Sequence, residues 1–314
     1  MIKQPSTQIT STSIHPDTDL GLVALTVADL ARSTAFYQDV LGFELLQQGS
    51  DQAVLGAGGM PLLLLHELRD ALPAPTNVTG LTGLYHFAIL VPTRADLARS
   101  LLHLIESGYP LDGASDHLVS EALYLSDPDR NGIEIYRDRP RDQWPRSNNQ
   151  IQMASDPLDL RALITEAKAD TRPWNGLAAG TRLGHMHLQV ADIPQARDFY
   201  HGVLGFDIVV DWERMGALFV SAGGYHHHLG MNIWHSRGGR PAPEGSAGLR
   251  YFTVQLPHAE ALELVLVRLD AAGVPHREEG GGVVVDDPWR NSIFLGVGKS
   301  MPNEVASASG ASMS

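Results

Sequence analysis

The chain has 314 residues, enough for two ordinary domains, and a formal net charge of −13 that lacks the Lys and Arg excess needed to neutralise nucleic acid. Cysteine is absent, which excludes disulfides, thiolate catalysis and cysteine-ligated metal; with 14 histidines, any metal site must be built from imidazole and carboxylate. No apolar run reaches membrane-spanning length and the first residues lack the apolar core of a secretory signal, so a cytoplasmic protein without membrane contact is expected.

Residues 1–19 are polar and aperiodic and read as a mobile arm. Leu20 to Val27 alternates as a strand does, and Asp29 then caps a helix whose Leu30, Tyr37 and Leu41 fall at helical spacing before Gly42. Strands follow at 43–48, 52–57 and 61–66, giving a β-α-β-β-β unit. The same grammar restarts at 84–91, continues with a helix over 94–107, and closes with a hairpin of strands 121–127 and 132–137 around Asp-Pro-Asp-Arg-Asn-Gly. A linker at 138–182 is rich in Arg, Asn, Gln and Pro, and its Asp156-Pro157-Leu158 reads as the start of a short helix to Ala167.

The second half repeats the first. VALTVADLARSTAFYQDVLGFEL at 23–45 returns as MHLQVADIPQARDFYHGVLGFDI at 186–208, and YHFAILVPTRADL at 85–97 returns as RYFTVQLPHAEAL at 250–262. The fold class expected is α+β, with four βαβββ modules near 20–68, 84–137, 184–235 and 249–297. Two halves, 20–137 and 183–298, flank the linker, and 299–314 read as a disordered tail.

Within the hairpin, Glu134 stands between Ile133 and Ile135, so its carboxylate points to the face opposite theirs. A lone Glu in that place usually faces water. The whole spacing, however, His117, then Leu123-Tyr124, then Asp127-Pro128, then Glu134, closely resembles the signature of extradiol ring-cleavage dioxygenases in the vicinal-oxygen-chelate superfamily. Arg130 departs from it, standing where the family usually has Gly or Pro, as does Ser115, where a Gly, Asn, Thr or aliphatic residue is preferred. The runs GHMHL at 184–188 and YHHHLG at 225–230 extend the resemblance to both halves and look most like the catechol 2,3-dioxygenase group.

The resemblance implies two paired-module barrels curving around cavities, with Glu134 as a metal ligand and His117 and Tyr124 over the substrate. It also implies that the first strand of a module can carry a ligand His seven residues before the helix-capping Asp. His185 stands so before Asp192, whereas Leu22 stands before Asp29; the aligned residue is His86 in module two and Tyr251 in module four. On the last strand, module two has Glu134 where module four has Phe294. Pairing one with two and three with four would leave both cavities short of a ligand. Pairing two with three and one with four puts His86, Glu134 and His185 in one cavity and leaves the other apolar, so the crossed arrangement is expected.

Two imidazoles and one carboxylate leave open positions on an octahedral ion, which suits Fe(II), with Mn(II) as the alternative. His187 lies two residues along the same face and stays open as a replacement ligand or a substrate-pocket residue. By resemblance, His227 or His228 serves as acid and base, with His228 preferred because a strand entering the cavity exposes alternate residues. Asn232 and Trp234 share its face and are expected to line the substrate pocket. The implied function is Fe(II)-dependent extradiol cleavage of a catechol by O2 to a 2-hydroxymuconic semialdehyde. A small aromatic diol and O2 are the expected partners, and a homo-oligomer is left open. Rival readings are a glyoxalase-type isomerase or hydrolase, against which His117 and Tyr124 speak, and a non-catalytic small-molecule binder, against which a complete ligand set speaks.

Overall fold

Each module builds one strand, one helix and three further strands, because apolar residues alternate along the strands and recur at helical spacing between them. The computed structural model describes residues 13–148, 150–298, 300 and 302. Module one runs β1 (Asp19–Val27), α1 (Leu30–Ala35), β2 (Glu44–Gln48), β3 (Gln52–Ala57) and β4 (Met60–Glu67). Module two supplies β5 (Leu81–Leu90), α2 (Arg94–Ser107), β6 (Gly113–Asp116), β7 (Ser120–Ser126) and β8 (Gly132–Asp138). After α3 (Leu160–Ala169), module three contributes β9 (Arg182–Gln189), α4 (Ile193–Arg197), β10 (Asp207–Trp212), β11 (Ala217–Ser221) and β12 (Leu229–Asn232). Module four follows with β13 (Gly248–Leu256), α5 (Ala259–Ala272), β14 (His276–Glu279), β15 (Gly282–Asp286) and β16 (Ser292–Val297).

The modules pair crosswise. One eight-stranded sheet runs β14-β15-β16-β13-β1-β4-β3-β2, joining modules four and one. The other runs β6-β7-β8-β5-β9-β12-β11-β10, joining two and three, with two-residue additions at Asp156–Pro157 and Arg240–Pro241. At its seam β5 meets β9 antiparallel, with His86 opposite His187; the matching pair on β1 and β13 is Ala24 opposite Tyr251. This is the pairing expected from the distribution of candidate ligand residues.

Consecutive modules are also tied. Asp29 accepts the Arg32 N–H (2.9 Å) and so caps α1, and the helix widens into a π-turn at Phe36–Val40 that buries Tyr37. The Tyr37 hydroxyl donates to Asp127 Oδ2 (2.9 Å) in the hairpin turn of module two. Tyr200 of module three donates in the same way to Asp287 Oδ2 (2.9 Å) of module four. Each aspartate folds its own turn, Asp127 Oδ1 accepting the N–H groups of Asp129 and Asn131 at 2.8 Å. Arg130 sits there at φ +72°, a left-handed backbone that glycine adopts at less cost.

Three segment readings need correction or limits. Residues 13–19 are not a free arm: Ile14 is buried, its N–H bonds Gly205 O (2.6 Å), and Asp19 opens β1 and pairs with Arg182. Residues 1–12 lie outside the described residues, as does the tail from 299 apart from Ser300 and Pro302. The linker helix starts later than Asp156, because Asp159 is the residue whose carboxylate caps it, at the Ala162 N–H (3.0 Å). Asp156–Pro157 instead lies along β6, at a sheet edge that tolerates a residue without an N–H. Among the described residues no helix is long and apolar enough to cross a membrane.

Candidate metal centre

Period-2 alternation turns Phe87, Ile133, Ile135 and Met186 into the main core and leaves their neighbours His86, Glu134 and His185 on the concave face of the paired sheet. All three are buried, and their ligand atoms lie within 4.8 Å of one another. His86 Nε2 and His185 Nε2 each lie 3.1 Å from the same oxygen, Glu134 Oε2. His86 Nε2 nonetheless makes no hydrogen bond and is shut off from solvent, an orphaned polar nitrogen beside a carboxylate. A divalent cation satisfies this arrangement: two imidazole nitrogens and one carboxylate oxygen converge, with no fourth protein ligand among the described residues to close the shell. Burial alone would raise the Glu134 pKa, but His185 and His86 outweigh it and hold the group well below the usual carboxylate range. Burial likewise drives His185 down to about 4, so the imidazole stays neutral and able to bind metal at neutral pH.

These groups form one wall of a cavity of about 510 Å³. His117 and Tyr124 line it, Tyr124 lying directly across the β7–β8 ladder from Glu134. His117 Nδ1 is 2.6 Å from Ala154 O, so that nitrogen carries the proton, and the Tyr124 hydroxyl donates to Nε2 (2.6 Å). Burial and then the Glu134 charge raise the Tyr124 pKa well above its ordinary value, which keeps the phenol protonated. His187 also lines the cavity but stands outside the ligand cluster, its Nε2 accepting from Asn232 Nδ2 (3.1 Å).

A sequence profile and known relatives identify the family. The profile of the Glyoxalase/Bleomycin resistance protein/Dioxygenase superfamily matches residues 19–135 and 182–293. The chain belongs to this superfamily. It is 48% identical over 279 residues to catechol-2,3-dioxygenase of Bacillus subtilis (strain 168), covering 88% of this chain and 96% of that protein. It is 27% identical over 170 residues to biphenyl-2,3-diol 1,2-dioxygenase 3 of Rhodococcus globerulus, covering 49% of this chain and 88% of that one. Among solved structures, glyoxalase I from Zea mays shares the fold, with a TM-score of 0.54 at 15% identity over 89% of this chain and 92% of that one.

Two expectations for this superfamily member fail on orientation. His228 does not face the cavity. The chain at Tyr225 to His228 is a series of bends and β12 begins only at Leu229, so strand alternation does not extend back to it. His228 Nδ1 accepts the Ala222 N–H (3.1 Å) and Nε2 faces Asp19 Oδ1 (3.6 Å), which ties module three to the start of β1. His227 is the residue that lines the cavity, its ring 4.2 Å from that of His185 between centroids. Asn232 is fully buried and does not line the cavity; it holds His187, and its Oδ1 accepts the Trp234 N–H (3.2 Å). Trp234 does line it, at the half-exposed mouth.

Sequence reasoning missed several cavity residues. Tyr85, Trp212 and Phe219 add aromatic surface, and Met153, Ala154 and Ser155 of the linker close one side. Nothing local in the sequence marks the linker residues, because their role depends on Asp156–Pro157 docking on β6.

Proposed function

We propose that this protein is an extradiol dioxygenase that uses Fe(II) to cleave a catechol with O2, giving a 2-hydroxymuconic semialdehyde. The observation that carries the reading is the convergence of His86, Glu134 and His185 in one cavity with the His117–Tyr124 pair. The 48% identity to a catechol-2,3-dioxygenase over nearly the whole chain supports it. His86, His185 and Glu134 hold the ion; Mn(II) fits the same donors. Iron, when bound, supplies Lewis acidity toward the diol oxygens and the electrons that activate dioxygen.

The protein's own groups supply the rest. His227 is the acid and base: burial, then the neighbouring His185 and His226, push its pKa well below the ordinary value, so it enters the reaction neutral and able to take a catechol proton. When a diol binds, the Tyr124 hydroxyl turns its one hydrogen from His117 Nε2 to a diol oxygen, and His117, whose Nδ1 is held by Ala154 O, orients the ring. His187, Trp234 and Phe219 flank the ring with aromatic surface and exclude water. Among the described residues the lining holds two carboxylates, Glu134 and Asp112, and no lysine or arginine, which favours diols without an anionic substituent.

Oxygen-electrode measurement after anaerobic loading with Fe(II) tests this. Catechol or an alkylcatechol should consume O2 one for one with formation of the yellow ring-cleavage product, and 3,4-dihydroxybenzoate should react more slowly. Absence of O2 uptake with all of these diols would falsify the reading.

A further inference from the structure

The strand face that carries Glu134 continues to Tyr136 and Asp138, and the cavity histidine His227 is joined to that face through His226. His226 is completely buried, with its Nε2 2.8 Å from Asp138 Oδ1 and its Nδ1 2.8 Å from His227 Nδ1. The second Asp138 oxygen accepts the Tyr225 hydroxyl (2.9 Å), which leaves Tyr225 to accept from Tyr136 (2.7 Å). Tyr136 is placed by a close approach to β9: a Cβ on Gly184 would stand 1.8 Å from its hydroxyl oxygen, so only glycine fits beside it, immediately before His185.

Proton positions along this chain follow from what each atom can do. An ionised carboxylate only accepts, so His226 Nε2 carries a hydrogen toward Asp138. With the His226 ring taken as neutral, its other nitrogen is a lone pair and Nδ1 accepts. Its partner at 2.8 Å, His227 Nδ1, therefore carries a hydrogen, because two lone pairs at that distance would repel. His227 Nε2 is left as the ring's only lone pair. This is the tautomer that a base working through Nε2 requires, and a free imidazole has no comparable reason to hold it.

We propose that Asp138 and His226 are positioning residues that fix the tautomer and ring orientation of His227. The inference rests on the reading of His227 as acid and base, but the proton positions can be measured without turnover. Neither Asp138 nor His226 lines the cavity; both act through His227. The buried Tyr136–Tyr225 pair saturates the second Asp138 oxygen and keeps the carboxylate aimed at His226.

The test is long-range 1H–15N NMR on the full-length, metal-free protein with 15N-labelled histidine, His227 being assigned by its loss in His227→Asn. The expected pattern is protonated Nδ1 with unprotonated Nε2 for His227, and protonated Nε2 for His226. His226→Phe should convert His227 toward the Nε2–H form and, in the iron-loaded enzyme, lower kcat by about 10²-fold with catechol KM changed less than about twofold. His226→Gln keeps an acceptor for His227 and a donor for Asp138, and should recover most of both signals. Nε2–H for His227 in the unsubstituted protein overturns the proposal, as does an unchanged tautomer and kcat in His226→Phe. Should His226→Phe fail to fold, the spectrum of the unsubstituted protein decides alone. The expected spectrum in a protein that consumes no O2 with any catechol would sink the functional reading and leave the proton positions standing.

Discussion

The two barrels share one scaffold and differ in what their concave faces carry. Between modules two and three, His86, Glu134, His185 and His187 line an open cavity. Between one and four, the matching positions hold Tyr251, Phe294, Leu22 and Ala24, which pack with Val54, Leu64 and Val284 into a closed apolar cluster. Strand order, seam and turn are repeated down to the Tyr37–Asp127 and Tyr200–Asp287 hydrogen bonds, so the fold by itself creates no site. A few inward residues decide whether the interior becomes core or chemistry.

The largest test of this contrast replaces corresponding residues on the two last strands. Glu134→Ala should remove the third ligand, abolishing bound metal and lowering turnover by at least about 10³-fold. Phe294→Ala, its counterpart, should cost about 3–5 kcal/mol in urea unfolding while metal content per folded molecule stays unchanged. Full metal occupancy in the Glu134 variant would show that the carboxylate is not a ligand.

A smaller effect separates the two neighbouring histidines of module three. His227→Ala should keep its metal and lose about 10²–10⁴ in kcat. His228→Ala, which removes a contact to Asp19 outside the cavity, should change kcat by less than about threefold while lowering the melting temperature. The reverse outcome would restore His228 as the acid and base.

The smallest effect is on stability in acid. With its pKa depressed to about 4, His185 stays neutral in the folded, metal-free protein while the unfolded chain takes up a proton below about 6.5. Stability should therefore fall as pH drops from 6.5 toward 4, by about 3 kcal/mol from this residue. His185→Leu gives module three the residue that module one carries at Leu22, and urea melts should show a flatter acid limb. An equally steep limb in that variant would place the acid sensitivity elsewhere.

Much of this was legible in the sequence, because repeats and strand alternation are local. The four modules could be read from restarted motifs, and the candidate ligand set, by resemblance, from which copies keep His or Glu at one register. Even the crossed pairing followed, since it alone completes one site. His228 was misjudged where that logic stops: a period of two holds only inside a regular strand, and the chain at 225–228 is bent. The arm was misjudged for a related reason, since a polar, aperiodic stretch can still be pinned by one buried Ile14 and a backbone hydrogen bond.

The sequence by itself determined the repeated units and, with the family resemblance, singled out the candidate ligands that come together and the partner each module takes. Only the tertiary structure decided that His227 faces the cavity, that His226 links it to Asp138, and that a linker carbonyl at Ala154 holds His117. Those contacts join residues 37 and 88 positions apart or turn on side-chain direction within a bend, and neither is encoded in any local period.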